Sequence, residues 1–485
     1  MQTKIIIKDE CNVKLEGLDL VTRKDLVKKF SFELPYARHL PSVKLGRWDG
    51  RVSFFTLGGS SFISLLPEIL AYLDNKGYDF DLVDLREYKR DFSFDLAKAD
   101  DYSHINWPKG HPLEGEPIVL RDHQLQVIND FLANPQGLQE VATGAGKTII
   151  TAVLSHRCEP YGRTIVVVPN KSLVRQTEED YVNLGLDVGV FFGDRKEFNK
   201  THTICTWQSL DRLLKNTRNE LAEIPIQDFL HNVVAVICDE CHGAKAEALK
   251  TLLTGVMSHI PLRWGLTGTI PQEDFDFFAL RVSLGEIIGK LSASELQEKG
   301  LLANCEVNVL QLQDYGEYKQ YQQELKYLIT NEDRMQFIAS LIDQIASDGN
   351  TLVLVDRIAA GDLIAKYLPN SVFIHGSTDT DERKEHYAAV SISDDKRIVA
   401  TYGIAAVGIN VPKLHNIVLL EPGKSFVRVI QSIGRGLRLA DGKDFANIWD
   451  ITSSLKYSKR HLSKRKKFYN DAKYPFTLEK VDWSK

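Results

Sequence analysis

The sequence predicts an α/β protein that has two parallel-sheet domains and a small mixed α/β module in front of them. Two observations carry this prediction. Short Val- and Ile-rich runs recur from about residue 116 onward, and segments with helical periodicity, such as residues 171–181, lie between them. The runs are apolar on both faces, which is typical of parallel strands that helices cover on both sides.

The predicted strands fall into two groups, which a long polar stretch with helical periodicity, residues 315–348, separates. The strands are residues 164–169, 233–239, 351–355, 371–375, 397–401 and 416–420. Roughly 150 residues per domain allow about three domains in 485 residues. We therefore expect an accessory module with possible DNA-binding function over residues 1–110, an ATP-binding domain over 111–295, a second domain over 296–455 and a basic tail over 456–485.

Composition excludes several classes of protein. With 43% apolar and 26% charged residues, the chain is neither collagenous nor wholly disordered. A net charge of −5 excludes a polycation but leaves room for local basic patches. No apolar run approaches the roughly 18 residues that span a bilayer, and the first residues resemble no targeting peptide. We expect no membrane partner, a cytoplasmic location, and six cysteines that stay reduced.

A phosphate-binding site is predicted at residues 138–148, LQEVATGAGKT, where an apolar strand enters a small-residue loop and a helix follows. Gly144 and Gly146 allow backbone N–H groups to approach phosphates at the start of that helix. Lys147 supplies a positive charge for the β- and γ-phosphates, and the Thr148 hydroxyl can bind Mg²⁺. The full motif has glycine where this chain has Val141, but the strand–loop–helix context favours ATP with Mg²⁺ as cofactors.

An acidic pair is predicted to complete this site, because Asp239 and Glu240 end a buried strand. Asp239 can hold Mg²⁺, and Glu240 can orient the attacking water. The alternative is a zinc or redox site, since Cys238 and Cys241 have C-x-x-C spacing and His242 is adjacent. No second Cys/His pair of matching spacing appears in the sequence, which favours nucleotide chemistry.

Two arginines are candidates for stabilising the charge that develops on the γ-phosphate. Gln431, Arg435 and Arg438 follow an apolar stretch, and the two arginines project from one face if the segment is helical. Placed on the second domain, they make catalysis depend on closure. The alternative is a surface ion-pair element.

These ordered blocks resemble the superfamily 2 helicases over about residues 116–455, and the resemblance implies two tandem RecA-like domains. It places Arg121 and Gln124 in the adenine-recognition block and the loop residues Thr143, Gly144, Ala145 and Gly146 in motif I. It makes residues 239–242 a DExH box and places residues 266–269 where motif III couples hydrolysis to movement. It further implies nucleic-acid or nucleotide contacts at Ser172, Thr206, Trp207, Gln208, Thr401 and Gly408. Asn410 stands where motif V often has Asp, and Gly268 where motif III commonly has Ala.

Within that superfamily the chain is most similar to the UvsW-type recombination and repair helicases of tailed phages, on residues 48–51, 206–208, 265–268, 402–403 and 449–450. This similarity implies an ATP-dependent DNA helicase or translocase that unwinds or branch-migrates forked and junction DNA in replication, recombination or repair. If the chain is phage-encoded, it acts in the host cytoplasm. A monomer is favoured. An ATP-switched nucleic-acid clamp and an RNA helicase remain alternatives, because the core blocks alone do not exclude RNA.

Two basic segments lie outside the core blocks. Residues 456–473 hold eight Lys or Arg interleaved with aromatics, and they form either a solvated helix face or a phosphate-binding arm. Around Trp48 stand Arg38, Lys44, Arg47 and Arg51. That module is either a folded adaptor with Trp48 in its core or a duplex- or junction-binding unit.

Overall fold

The computed structural model describes residues 2–34, 36–86, 91–109, 113–241, 246–271, 273–404, 413–423 and 444–484. Contacts divide the chain into two compact units. The first holds residues 1–141 and 146–290, and the second holds residues 142–145 and 291–485. None of the described helices is long and apolar enough to cross a membrane.

The first unit begins with a four-stranded sheet of order β5-β2-β1-β6 and a separate β3-β4 ribbon. Strand β1 pairs antiparallel with β2 and parallel with β6. The elements are β1 (Gln2–Ile7), β2 (Asn12–Glu16), α1 (Leu20–Lys29), β3 (Ser31–Glu33), α2 (Pro41–Lys44), β4 (Arg51–Ser53), β5 (Ser60–Phe62), α3 (Leu66–Asp74) and β6 (Asp79–Asp84). Val13 and Leu15 alternate with polar residues in β2, and only these apolar side chains are buried in a shared core.

An eight-stranded sheet follows in the same unit, in the order β10-β9-β11-β8-β12-β13-β7-β14. The pairs from β9 through to β7 are parallel, and the short β10 pairs antiparallel at the edge. Its elements are α4 (Asp122–Leu132), β7 (Gln136–Val141), α5 (Lys147–Cys158), β8 (Arg163–Val168), α6 (Lys171–Asn183), β9 (Val188–Phe192), β10 (Arg195–Lys196), β11 (His202–Thr206), α7 (Trp207–Arg218), α8 (Ile226–Phe229), β12 (Val233–Asp239), α9 (Ala246–Leu253), β13 (Leu262–Thr267), α10 (Asp274–Leu284) and β14 (Ile287–Leu291). Every residue of β12 is buried, as the predicted apolar run requires.

The small N-terminal sheet packs directly against the larger sheet's helices. Phe275, Ala279 and Val282 of α10 belong to the same buried cluster as the apolar residues of the N-terminal sheet and of α1 and α3. At the edge of this interface, Arg281 forms an ion pair of 2.8 Å with Glu68. The shared core means that the N-terminal residues fold against the large sheet rather than as a detached module.

The second unit is built on a seven-stranded sheet of order β17-β18-β16-β19-β20-β15-β21, in which every pair is parallel. The polar stretch of the sequence forms two helices here, α12 and α13, as predicted. The elements are α11 (Ala293–Glu298), β15 (Asn304–Leu312), α12 (Tyr321–Thr330), α13 (Glu332–Ile345), β16 (Thr351–Val355), α14 (Ile358–Tyr367), β17 (Ser371–Ile374), α15 (Thr380–Ser391), β18 (Arg397–Thr401), β19 (Asn416–Leu420), β20 (Phe445–Ser453), α16 (Lys456–Asp471) and β21 (Phe476–Val481).

The basic C-terminal segment is part of this second unit. Strand β21 pairs with β15 at the sheet edge, and α16 packs on β20 through a buried ion pair. Arg465 contacts Asp450 through two bonds of 2.8 Å, and the Tyr469 hydroxyl donates to the same carboxylate at 2.8 Å. A bidentate pair with a third donor satisfies most of the polar atoms that burial takes from water.

Candidate nucleotide site

The predicted phosphate loop has the backbone that close phosphate approach requires. Strand β7 ends at Val141, and α5 begins at Lys147. Gly144 and Gly146 have φ values of 93° and 84°, in the left-handed region that glycine adopts without strain. A Cβ on residue 146 would clash with the side-chain nitrogen of Gln124, so any other residue there would displace Gln124 and strain the backbone.

Lys147 is held by an ion pair with the second carboxylate of the acidic box. Its ammonium lies 2.8 Å from Glu240 Oε1 and donates at 3.3 Å to the carbonyl of Val141. The two side chains are only 9% and 15% exposed. The structure thus brings together the two predicted catalytic residues that lie almost a hundred positions apart.

Glu240 also contacts the backbone turn that follows β13. Its Oε2 accepts a hydrogen bond from the Gly268 N–H at 3.3 Å, and the neighbouring Thr267 hydroxyl donates to the Thr269 carbonyl at 2.8 Å. Glu240 itself has a φ of 48°, an uncommon value for a residue with a side chain. This backbone turn directs the carboxylate toward Lys147 and Gly268 together, so one side chain connects the phosphate lysine with predicted motif III.

Asp239 ends β12 as a buried carboxylate. Burial, and next the neighbouring Glu240 charge, raise its pKa to about 7, while Lys147 lowers it. Its Oδ1 accepts the Glu240 N–H at 2.9 Å. A carboxylate this costly to charge is a site that a divalent cation would stabilise.

The donor set fits Mg²⁺. Asp239 and the Thr148 hydroxyl are hard oxygen donors, and Mg²⁺ is commonly held by one or two protein ligands together with phosphates and water. Among the described residues, no group of three or more His, Cys, Asp or Glu forms a metal cage. The residues present therefore suit an ion that binds with the nucleotide better than a dedicated structural metal.

One residue near this site was not predicted from the sequence. Burial and the Glu179 charge raise the pKa of Asp180 on α6 to about 6, and a hydrogen bond from the Thr148 hydroxyl lowers it. Asp180 follows two other acids in an amphipathic helix, and nothing in that pattern distinguishes it from a solvated acid.

The predicted adenine-recognition residues lie at the start of α4. Arg121 is exposed, and its backbone N–H donates at 2.9 Å to the side-chain oxygen of Gln124, which is 7% exposed. Gln124 thereby caps the helix with its oxygen while its nitrogen faces Gly146. The role of both residues in base recognition stays a prediction.

The predicted nucleic-acid contacts differ in accessibility. Thr206 is 5% exposed and caps α7 by accepting the Ser209 N–H at 3.3 Å, and Trp207 packs partly against the core. Gln208 is exposed, and Thr401 ends β18 half-buried. For Ser172 the structure describes only its place in the first turn of α6. Capping and packing account for Thr206 and Trp207 without a ligand, and the contact role of all five residues stays a prediction.

The remaining predicted residues lie outside the described residues: Gly408, Asn410, Gln431, Arg435, Arg438 and His242. Cys238 and Cys241 are described, and both are buried free thiols. Burial raises the pKa of Cys238 to about 12 and raises that of Cys241 well above its usual value. Both side chains belong to a buried apolar cluster of the first unit, so packing accounts for them without a metal.

Parallel sheets and a glycine loop that leads into a lysine-bearing helix beside a buried acidic pair define a P-loop nucleotide hydrolase. The chain matches two family models in order. Residues 117–272 match "Type III restriction enzyme, res subunit", and residues 333–440 match "Helicase conserved C-terminal domain". The chain belongs to the superfamily 2 helicases and is an ATP-hydrolysing helicase.

Individual relatives agree with this assignment. The chain is 26% identical over 495 residues to the ATP-dependent DNA helicase uvsW of Enterobacteria phage T4, which covers 96% of this chain and 94% of the relative. It is 26% identical over 407 residues to the DNA 3'-5' helicase XPB of Mycobacterium tuberculosis, covering 78% and 71%. The structure of S. cerevisiae Dbp5 bound to RNA and ADP BeF3 shares the fold with a TM-score of 0.54 at 15% identity, covering 76% of this chain and 90% of that chain.

Proposed function

We propose that this helicase is an ATP-dependent DNA translocase that unwinds or branch-migrates forked and junction DNA in replication, recombination or repair. The observation that carries the motor part of the proposal is the double contact of Glu240. Its carboxylate binds the phosphate lysine at 2.8 Å and the backbone N–H of Gly268 at 3.3 Å. If Lys147 exchanges Glu240 for another partner, the Glu240 carboxylate moves, and its hydrogen bond with the Gly268 N–H after β13 changes as well.

Lys147 changes partner when a triphosphate binds, from the Glu240 carboxylate to phosphate oxygens. Glu240 is then free to accept a proton from the attacking water and to hold that water in line with the γ-phosphate. When the Glu240 carboxylate moves, the hydrogen bond from the Gly268 N–H either moves with it or breaks. Hydrolysis is thereby coupled to the position of the segment after β13. The proposed charge-stabilising role of Arg435 and Arg438 stays a prediction.

Thr148 and Asp239 are the residues that would hold Mg²⁺ in the proposed site. The ion would neutralise the phosphate oxygens and polarise the bond that breaks. The Thr148 hydroxyl donates a hydrogen bond to Asp180, so a lone pair of the hydroxyl oxygen stays available as a ligand for the proposed ion.

DNA is proposed as the partner on two grounds. The relatives over most of the chain are DNA helicases by name, uvsW and XPB. The N-terminal module, proposed as residues 1–110, exposes Lys44 and Arg47 beside the half-buried Trp48, while Arg38 is engaged by Glu33 at 2.9 Å. We propose that this surface contacts branched DNA. If the protein is phage-encoded, it acts in the host cytoplasm.

The test compares ATP hydrolysis and product formation on a panel of cofactors: single-stranded DNA, duplex, forked DNA, four-way junction and RNA. We expect the largest stimulation with DNA, and ATP-dependent rearrangement of the fork or junction on gels. The control without hydrolysis is Lys147→Ala, which lacks the charge that binds the phosphates. ATP-dependent affinity without any strand rearrangement would indicate the clamp, and stimulation by RNA alone would indicate an RNA helicase.

A further inference from the structure

Helix α16 has two chemically distinct faces. One face is buried and holds Ser458, Leu462, Arg465, Phe468 and Tyr469. The other face is exposed and holds Lys456, Lys459, Arg460, Ser463, Lys464, Lys467, Asn470 and Asp471. At 3.6 residues per turn the exposed positions fall within an arc of about 140°; five of the eight carry a positive charge and one, Asp471, carries a negative charge. We call this set the basic face of α16.

Cations outnumber acids five to one on the basic face. Within the part of the chain that the structure describes, no ion pair joins any of the five cations to a carboxylate. The single acid of the helix, Asp471, is its last residue. Lysines elsewhere in this unit differ, since Lys366 contacts Glu332 and Lys396 lies 3.6 Å from Asp395. In a chain of net charge −5, five cations and one acid on one helix face are a marked local excess of positive charge.

The buried face fixes α16 in position, so the cations are arranged before any ligand binds. The Arg465–Asp450 pair anchors its middle. At its start, the backbone N–H groups of Tyr457 and Ser458 donate to the buried Glu324 carboxylate at 2.9 and 2.8 Å. A preorganised row of charges loses less entropy on binding than a flexible tail would lose.

We propose that the basic face of α16 binds the sugar–phosphate backbone of a DNA strand. The proposal rests on the proposed function for the choice of DNA, and on charge complementarity for the site. From Lys456 to Lys467 the helix rises about 16 Å, which is long enough to span several successive phosphates. Lysine heads bind phosphates as point charges without reading bases, as a translocase that tracks along any sequence requires.

The experiment measures binding of a single-stranded DNA of about 20 nucleotides to the full chain by fluorescence anisotropy, between about 50 and about 200 mM salt. The test variant is Lys459→Gln/Lys464→Gln/Lys467→Gln. The control, Lys326→Gln/Lys366→Gln/Lys396→Gln, removes the same charge from positions of the same unit that lie outside α16. A second variant, Lys459→Arg/Lys464→Arg/Lys467→Arg, keeps the charge and tests for disturbance of the helix.

Each lost phosphate contact to a single strand lowers the log–log salt slope by about 0.7, so the test variant should lose about 2 from the slope. Its change in affinity over that salt range should shrink by about 20-fold relative to the parent. The control and the arginine variant should keep the parental slope. Equal losses in test and control, or a parental slope in the test variant, would overturn the proposal for α16.

Two further arms separate the sources of polyanion and the two proposals. The parent is also tested for binding to RNA of the same length and to vesicles of phosphatidylcholine and phosphatidylserine. If it binds either more tightly than DNA, and the test variant loses that binding, the assignment to DNA is overturned. DNA-stimulated hydrolysis by the parent is measured alongside. Its absence refutes the proposed function, whereas its presence together with an unchanged salt slope refutes only the basic face of α16.

Discussion

Replacing Glu240 with Gln should tighten ATP binding while it stops hydrolysis. The Glu240 carboxylate forms an ion pair with Lys147 at 2.8 Å, and both side chains are largely buried. ATP must displace this carboxylate before Lys147 can bind a phosphate, and two negative groups then compete for one lysine. Glutamine keeps the shape and removes the competing charge.

The magnitude follows from the contact that ATP has to break. A hydrogen bond between charged groups contributes about 1.5–3 kcal/mol, and about 1.4 kcal/mol corresponds to a tenfold change in Kd. Glu240→Gln should therefore lower the Kd for ATP by about 10-fold to about 100-fold. Loss of the carboxylate that receives the water's proton should lower the hydrolysis rate by about 10²- to 10⁴-fold.

Equilibrium binding of ATP by calorimetry and single-turnover hydrolysis measure the two effects separately. Glu223→Gln is the matched control, because this exposed carboxylate pairs with Lys196 at 3.1 Å on the surface of the same unit. It should change neither quantity. An ATP affinity equal to or weaker than that of the parent would refute the competition between Glu240 and phosphate, and parental hydrolysis would refute the role of Glu240 in orienting water.

Three further outcomes are expected. Lys147→Ala should abolish hydrolysis and weaken nucleotide binding sharply, measured by the same two assays. Asp450→Ala leaves Arg465 buried without its counter-ion and should lower the free energy of unfolding by about 3–5 kcal/mol in denaturant titration, whereas Asp450→Asn/Arg465→Met should recover most of it. Burial lowers the pKa of His202, so the unfolded chain binds the proton more readily than the folded one below about pH 6.5. Stability should fall as the pH drops from about 7 to about 5, and a His202→Gln variant should lose less over that range.

The sheets could be predicted from sequence because their signal is local. All seven residues of β12 are buried, and this strand was readable as a continuous apolar run ending in two acids. The phosphate loop was equally readable, since the Gly146 backbone and the Lys147 side chain serve chemistry that demands those residue types at that spacing. What could not be predicted there is the pairing of Lys147 with Glu240, because it depends on how β7 and β12 are placed in one sheet.

The basic segment at the C-terminus shows where composition alone is ambiguous. Eight cations in residues 456–473 indicate that the segment is exposed to solvent, yet Arg465 is buried in the second unit in an ion pair with Asp450. Helical spacing places Arg465 on the same face as Leu462 and Phe468, but its partner Asp450 lies on the preceding strand and no local pattern identifies it as that partner. For the same reason a deletion of residues 456–485 would remove a buried ion pair and an edge strand, so point substitutions are the cleaner test of binding.

The sequence by itself determined the α/β class, the two groups of parallel strands and the residues of the phosphate loop and acidic box. These features repeat at the period of a strand or a helix, or are required within a few residues of one another. Tertiary structure alone decided that the N-terminal sheet shares a core with α10, that Glu240 joins Lys147 to Gly268, and that Arg465 of α16 pairs with Asp450. These depend on contacts between residues far apart in the chain, which sheet order and packing fix and local patterns do not record.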